Sequence, residues 1–260
     1  MKYIAITFDD GRSDNYLLAK QIMDKYQLRG TVYVTTGFID GSWEGKDVLQ
    51  SPTRPLTIEE IKKLHDAGWE IGLHGDCHQT QVDDMRTALH KLQSWGIDNP
   101  VWSISVPNSD AQESEISAIM ASEYGEKIAY IRRGRKCDTT KLTNKMLYAI
   151  YSVFKFKWAY RRFNHENVFT CDNFDKVNVP SVVVKSNDTP ELIIDFINNI
   201  PDNSFVVLML HSILESDNAL CGKDVWSWSA ENFDKLCDAI RVKSDKGEVN
   251  ASPLIEQLKG

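Results

Sequence analysis

The sequence predicts an α/β protein, a deformed (β/α) barrel of seven or eight units, in a single domain over residues 1–260. Three observations carry this. Short β-branched and aromatic runs alternate with helical periodicities along the whole chain, the pattern of parallel strands joined by crossover helices. About seven or eight such units in 260 residues favour a barrel over an open doubly wound sheet. No Gly-rich phosphate fingerprint follows the first strand, where Asp9-Asp10-Gly11-Arg12 puts acid in place of glycine amides.

The elements follow in order. Tyr3 to Phe8 is a buried strand that runs into a polar turn at Asp9-Asp10-Gly11. Ser13 or Asp14 caps a helix in which Leu17, Leu18, Ile22 and Met23 recur at helical spacing. Thr31 to Thr35 is a strand, and Gly37 to Pro55 reads as a long loop. Thr57 and Glu60 form a capping box for a helix through Ala67, ended by Gly68. Trp69 to Leu73 is a strand leading into His74, Val82 to Trp95 a helix, Val101 to Val106 a strand, and Glu113 to Tyr124 a helix. Lys127 to Arg132 is a strand, and Leu142 to Phe156 one helix with Leu147, Ile150, Tyr151 and Phe154 on a stripe. Ser181 to Lys185 (strand), Pro190 to Asn199 (helix), Phe205 to Leu210 (strand) and Ala230 to Val242 (helix) complete the alternation.

Composition narrows the function classes. With 42% hydrophobic and 26% charged residues the chain is neither disordered nor fibrous, and its apolar runs are too short to span a bilayer. A net charge of −7 argues against nucleic acid as a partner. The charge is uneven. Lys127 to Arg162 holds eleven Lys/Arg against one acid, Asp138, a charge of +10 that leaves −17 on the other 224 residues. Five cysteines without CxxC spacing suit neither a disulfide framework nor a cysteine zinc site, and the N-terminus lacks a signal peptide's apolar stretch. A cytoplasmic chain is the expectation.

Candidate chemistry collects at strand ends, which in a parallel barrel share one face. Asp9 and Asp10 end the first strand, His74 and His78 follow Leu73, Pro107-Asn108 follow Val106, and His211 follows Leu210. Taken singly, paired Asp often cap a helix and a strand-end His is often a core residue. Two His four apart would share one face of a helical turn, close enough for one metal ion. Asp76 between them is a supporting partner or solvated, and Cys77 a small buried residue. His65 and His90 look like surface helix residues, and His165 has no assigned role. Two His and one Asp make a three-ligand metal site with open positions, a second Asp is a base toward water, and a His on another strand end is an acid for the leaving group. That set suits metal-assisted hydrolysis of an amide or ester.

Thr7-Phe8-Asp9-Asp10-Gly11, His74-x-x-x-His78, Val106-Pro107-Asn108 and Leu208-Met209-Leu210-His211, in this order after their strands, resemble the polysaccharide deacetylases with a NodB-homology domain, carbohydrate esterase family 4. The resemblance implies a deformed barrel in which Asp9 is the general base, Asp10, His74 and His78 hold a divalent metal ion, and His211 is the general acid. It implies that the backbone N–H of Asn108 helps bind the oxyanion, that zinc is the first choice of metal with Co2+, Ni2+ or Mn2+ next, and that the substrate is an N-acetylated sugar or glycan.

The pattern is departed from at four places. Gly75 replaces the Ser/Thr usual after the first metal His, and Ser105 the Arg that usually tunes the base Asp. Asn108 replaces an aromatic, and Ser212 an acid. Arg132 or Arg133, ending the Lys127 strand, is the expected substitute cation for Asp9, and the family's Asp-Trp segment is not assigned. Two further readings stand: a hydrolase of linear or cyclic non-sugar amides, and a non-catalytic glycan-binding relative. The basic segment, whose Lys155 to Arg162 interleaves cations and aromatics, suggests an anionic or lipid-linked substrate or peripheral membrane contact.

Overall fold

A computed structural model describes residues 1–44 and 53–258. The strands are β1 (Lys2–Phe8), β2 (Thr31–Val34), β3 (Glu70–Leu73), β4 (Trp102–Ser105), β5 (Ile128–Arg132), β6 (Val168–Thr170), β7 (Val182–Val183), β8 (Ser204–Leu210), β9 (Ser212–Leu214), β10 (Ser227–Ser229) and β11 (Val249–Ala251). The helices are α1 (Gln21–Lys25), entered through a π-helical stretch at Asn15–Lys20, α2 (Thr36–Asp40), α3 (Ile58–Asp66), α4 (Val82–Ser94), α5 (Glu113–Ala121), α6 (Leu142–Phe154), α7 (Lys157–Asn164), α8 (Pro190–Asn199), α9 (Ala230–Asp245) and α10 (Leu254–Gln257).

The strands pair in the order β5-β4-β3-β2-β1-β8, all parallel, and β7 lies parallel on the far side of β8. The chain just before β7 bonds to β5, with Val179 N–H to Ile131 O at 3.0 Å and Arg133 N–H to Val179 O at 2.7 Å. One segment therefore joins β5 to β8 and carries the sheet around into a (β/α) barrel. Antiparallel β6 on the first half of β8, and β11 on the first half of β1, deform it.

Period-two alternation sorts the side chains. Ile4, Ile6, Phe8, Val32, Val34, Ile71, Leu73, Ile104, Leu208 and Leu210 join the apolar faces of the surrounding helices in one core. Each such side chain contributes about 1.5–3 kcal/mol by leaving water. Their alternates, including Ala5, Tyr33, Tyr130, Phe205 and Val207, form a second cluster. Among these lies Glu70, which accepts hydrogen bonds from Thr31 Oγ1 at 2.8 Å and Tyr130 Oη at 3.1 Å and is bonded to Ser103 Oγ. Burial pushes its carboxyl up despite these donors, so it is held toward the protonated form. β8 is buried along its whole length, which is why its sequence is a continuous apolar run.

Sequence and structure differ in several places. The expected loop 37–55 contains most of α2, because Thr36 and Gly37 donate backbone N–H to Gly75 O and Asp76 O and dock that turn on the neighbouring strand end. Part of that loop, residues 45–52, lies outside the described residues. The single helix expected from Leu142 to Phe156 is broken: Lys155 takes a left-handed φ of 56°, and the chain turns back as α7. The short β6 and β9–β11 have too few residues for any periodicity to show.

Two predictions follow from the interior. A Cβ on Gly72 would lie 2.4 Å from the Tyr33 ring, so Gly72→Ala should cost about 1–3 kcal/mol, read as a lower urea midpoint. Asp188 is buried, its Oδ2 accepting Lys185 N–H at 2.9 Å and its Oδ1 without a hydrogen-bond partner among the described residues. Burial lifts its carboxyl to about 6 despite the nearby Lys185 N–H and Arg135. The folded pKa exceeds the unfolded value near 4, so the stability present below pH 4 is lost as pH rises through 6. Asp188→Asn should match the parent protein at pH 4 and exceed it at pH 8 by up to about 3 kcal/mol in chemical denaturation.

Candidate active site

At the end of β1 the chain leaves extended geometry abruptly: Asp10 and Gly11 both have φ of 76°, in the left-handed region. The reversal brings both carboxylates to the barrel mouth, each 3% exposed. Asp10 Oδ1 lies 3.4 Å from His74 Nε2 and 3.6 Å from His78 Nε2. Its other oxygen, Oδ2, accepts from Arg12 Nε at 3.0 Å and Nη2 at 2.7 Å. Burial favours the neutral acid, but His74, His78 and Arg12 outweigh it and hold the Asp10 carboxyl well below the usual carboxylate range.

His74 Nδ1 lies 2.8 Å from Ser105 O, a contact that fixes Nδ1–H as donor and leaves the Nε2 lone pair facing Asp10. Ligand atoms of Asp10, His74 and His78 all lie within 4.8 Å of one another, and all three residues are buried. One carboxylate oxygen and two imidazole nitrogens fit a divalent metal ion.

The two histidines do not sit on a helical turn as the spacing suggested. Residues 74–80 form an irregular loop around the Asp84 carboxylate, which accepts backbone N–H from Asp76 and Cys77 at 2.9 Å and from Gln79 at 3.2 Å. Gly75 has φ of 79°, and a Cβ there would lie 2.4 Å from Asp84 Oδ2, so the residue after the first His must be glycine here. Asp76 anchors the loop from outside through Thr36 Oγ1 at 2.6 Å and Lys91 Nζ at 2.7 Å. Cys77 is partly buried; its thiol lies 3.9 Å from Asp76 Oδ2 and its backbone N–H donates to Asp84.

Asp9 meets a different cation. Arg132 Nη2 lies 2.6 Å from Asp9 Oδ1 and 2.5 Å from Oδ2, and the same guanidinium bonds to Ser105 Oγ and reaches Ser181 Oγ at 3.2 Å. Ser105 Oγ also donates to Asp9 at 3.2 Å. Burial pushes Asp9 up, yet Arg132, with His74 and His211, prevails and the carboxyl is lowered. Arg133 points away, paired with Glu113 at 2.6 Å on the outer surface. Of the two arginines the sequence offered, the inward-facing one reaches Asp9.

Asp9, Asp10, Arg12, His74 and His78 line one cavity of about 320 Å³ with Asn108, Ser109, Met209, His211 and Trp226. Asn108 and Ser109 take left-handed φ of 55° and 56° just after Pro107. Such backbone is uncommon outside glycine and collects at functional clefts. The His211 ring packs 4.7 Å from Trp226, and its Nδ1 has no partner among the described residues. Burial pushes His211 down to about 4, so the imidazole is neutral near pH 7. Lys185, at the end of β7, sits 5.2 Å from the Trp226 ring. Sequence reading missed Arg12 and Trp226. The Asp224-Val225-Trp226 string was the available signal, and Asp224 Oδ1 accepts Trp226 N–H at 3.0 Å. His65, His90 and His165 lie outside this cavity.

Comparison with known proteins bears on the fold and on the first half of the chain. The sequence model described as Polysaccharide deacetylase matches residues 1–126. The matched stretch contains Asp9, Asp10, His74, His78 and Asn108, while Arg132 and His211 lie beyond it. No curated protein matches the sequence. Among solved structures, a mutant of a CE4 family pseudoenzyme with restored enzymatic activity is 10% identical, over 98% of this chain and 66% of its own, with a TM-score of 0.50. The family 4 carbohydrate esterase from Streptomyces lividans, in complex with acetate, is 12% identical over 96% of this chain and 91% of its own, with a TM-score of 0.49. The Streptococcus pyogenes deacetylase PplD, in complex with acetate, is 19% identical over 50% of this chain and 55% of its own, with a TM-score of 0.41. At these identities the likeness is one of fold, the deformed barrel of the polysaccharide deacetylases.

The Arg132–Asp9 pair yields a direct test. Arg132→Ala should move the Asp9 titration, followed by carboxyl NMR, upward by about 1–3 pH units. Adding Ser105→Arg, which brings a guanidinium from the adjacent strand, should reverse most of that change. An Asp9 titration indifferent to both would refute the pairing.

Proposed function

We propose that this chain is a metal-dependent hydrolase that removes acetyl groups from N-acetylated sugars in a glycan or glycan precursor. One observation carries the reading: a buried Asp-His-His donor cluster, an arginine-paired carboxylate and a neutral imidazole line a single cavity. Asp10, His74 and His78 would hold a divalent cation, zinc first and Co2+, Ni2+ or Mn2+ next, which supplies Lewis-acid polarisation of the acetyl carbonyl and acidifies water.

The protein's own groups then divide the proton work. Asp9, kept ionised by Arg132, accepts a proton from the attacking water. The backbone N–H of Asn108, fixed by its left-handed turn, stabilises the negative charge that develops on the acetyl oxygen. His211 is neutral at rest, takes up a proton from solvent as that charge grows beside it, then delivers it to the leaving nitrogen, while the proton on Asp9 returns to solvent. Trp226 against His211 holds the ring in place and excludes water from one side. The replacement of an aromatic by Asn108 supports a second reading, hydrolysis of a non-sugar amide by the same groups.

Acetate release from N-acetylated oligosaccharides, set beside simple amides and cyclic imides, separates the two substrate classes. Asp9→Asn should retain cation, measured by elemental analysis, and lose about 100-fold or more in turnover. His74→Ala should lose cation and turnover together. Near-normal turnover by Asp9→Asn would remove the base assignment.

A further inference from the structure

We propose that the α6–α7 hairpin docks this protein on an anionic lipid bilayer, with the cavity mouth beside the contact. The first observation is the placement of exposed apolar side chains. Leu142, Met146 and Val153 lie on the outer face of α6 at spacings of four and seven, and Leu142 and Val153 are 72% and 68% exposed. At the tip Phe154 and Phe156 stand exposed with rings stacked 5.7 Å apart, and Trp158 follows on α7 at 52% exposure. The opposite face of α6 is also apolar: Tyr151 is buried, and Leu147, Tyr148 and Ile150 pack on the core. A helix that is apolar on two opposite faces, with one of them unpartnered, has a further apolar phase to enter.

The second observation is charge. The hairpin lies in the +10 segment of a chain whose remainder carries −17. Arg161 is paired with Asp195, while Lys141, Lys145, Lys157 and Arg162 carry no ion pair among the described residues. A second copy of this chain would set these unpaired cations against their own counterparts, which opposes a symmetric dimer across this face. An anionic headgroup layer over acyl chains matches both the cations and the apolar stripe, with Trp158 suited to the boundary. Among the described residues no helix is long and apolar enough to cross a membrane, so the contact is with its surface.

The third observation is position. Lys155 Nζ at the tip donates to Asn187 O at 2.5 Å, and Asn187 lies in the loop after β7, on the mouth side of the barrel. The hairpin thus stands beside the cavity. A bilayer-docked molecule would meet acetylated sugars carried on lipid anchors. That consequence rests on the proposed function, whereas the docking itself does not.

Flotation with vesicles tests it, using phosphatidylcholine alone and phosphatidylcholine mixed with phosphatidylglycerol. The full chain should bind the mixed vesicles, leave pure phosphatidylcholine vesicles free, and dissociate as salt rises. Phe154→Ser with Phe156→Ser, and separately Lys141→Glu with Lys145→Glu and Lys157→Glu, should each weaken binding about tenfold or more. Circular dichroism and acetate release from soluble substrate should be unchanged in both. Absence of binding to the mixed vesicles, equal binding to both vesicle types, or binding indifferent to the substitutions would overturn the proposal. A dimer seen by light scattering and abolished by Phe154→Ser with Phe156→Ser would assign the face to a second copy instead. Acetate release by a chain that ignores vesicles would sink the docking and leave the hydrolase reading intact.

Discussion

A carboxylate cannot stay ionised inside a protein unless a cation comes with it, and the mouth of this barrel is arranged around that constraint. Asp9 and Asp10 are adjacent, buried and both held in the charged range. Each has its own arginine. Arg12 folds back two residues to Asp10, and Arg132 crosses from β5 to Asp9. Arg12 takes one oxygen of Asp10 and leaves the other to the histidines, which turns a charge pair into a ligand with a defined direction. Arg132 does for Asp9 what an arginine at position 105 would do, and Ser105 is small enough to let it pass and bond to it.

Local backbone geometry carries the same theme. Asp10, His78, Asn108 and Ser109 hold left-handed φ and line one cavity. Such conformations cost free energy and persist where surrounding contacts enforce them. Around His74 and His78 the enforcing group is Asp84, whose carboxylate collects three loop amides over a glycine with no room for a side chain. A substitution that reads as the loss of a hydroxyl is, in the fold, a requirement of the loop.

Rigid interior and unpartnered exterior meet at β5. Its inward face ends in Arg132, and the chain after it leads to a hairpin that leaves apolar side chains in water. The basic charge noted along this stretch therefore serves two places. Arg132 is sealed beneath the cavity, while Lys141, Lys145 and Lys157 flank the exposed stripe. Sequence proximity made them one feature, and burial divides them.

The sequence by itself determined the barrel class, seven of the strands, and the strand-end positions of Asp9, Asp10, His74, His78, Asn108 and His211, because alternation and strand-end polarity are local signals. It could not choose between Arg132 and Arg133, since adjacent strand residues face opposite ways and only the pairing of β5 with β4 decides which faces Asp9. Arg12 and Trp226 stayed hidden because their roles depend on contacts with strand ends brought together only by barrel closure. The break at Lys155 was equally invisible, a left-handed residue in a run that reads as one helix. Tertiary structure decided these points because each turns on which distant group fills a buried space, and the linear pattern carries no record of that.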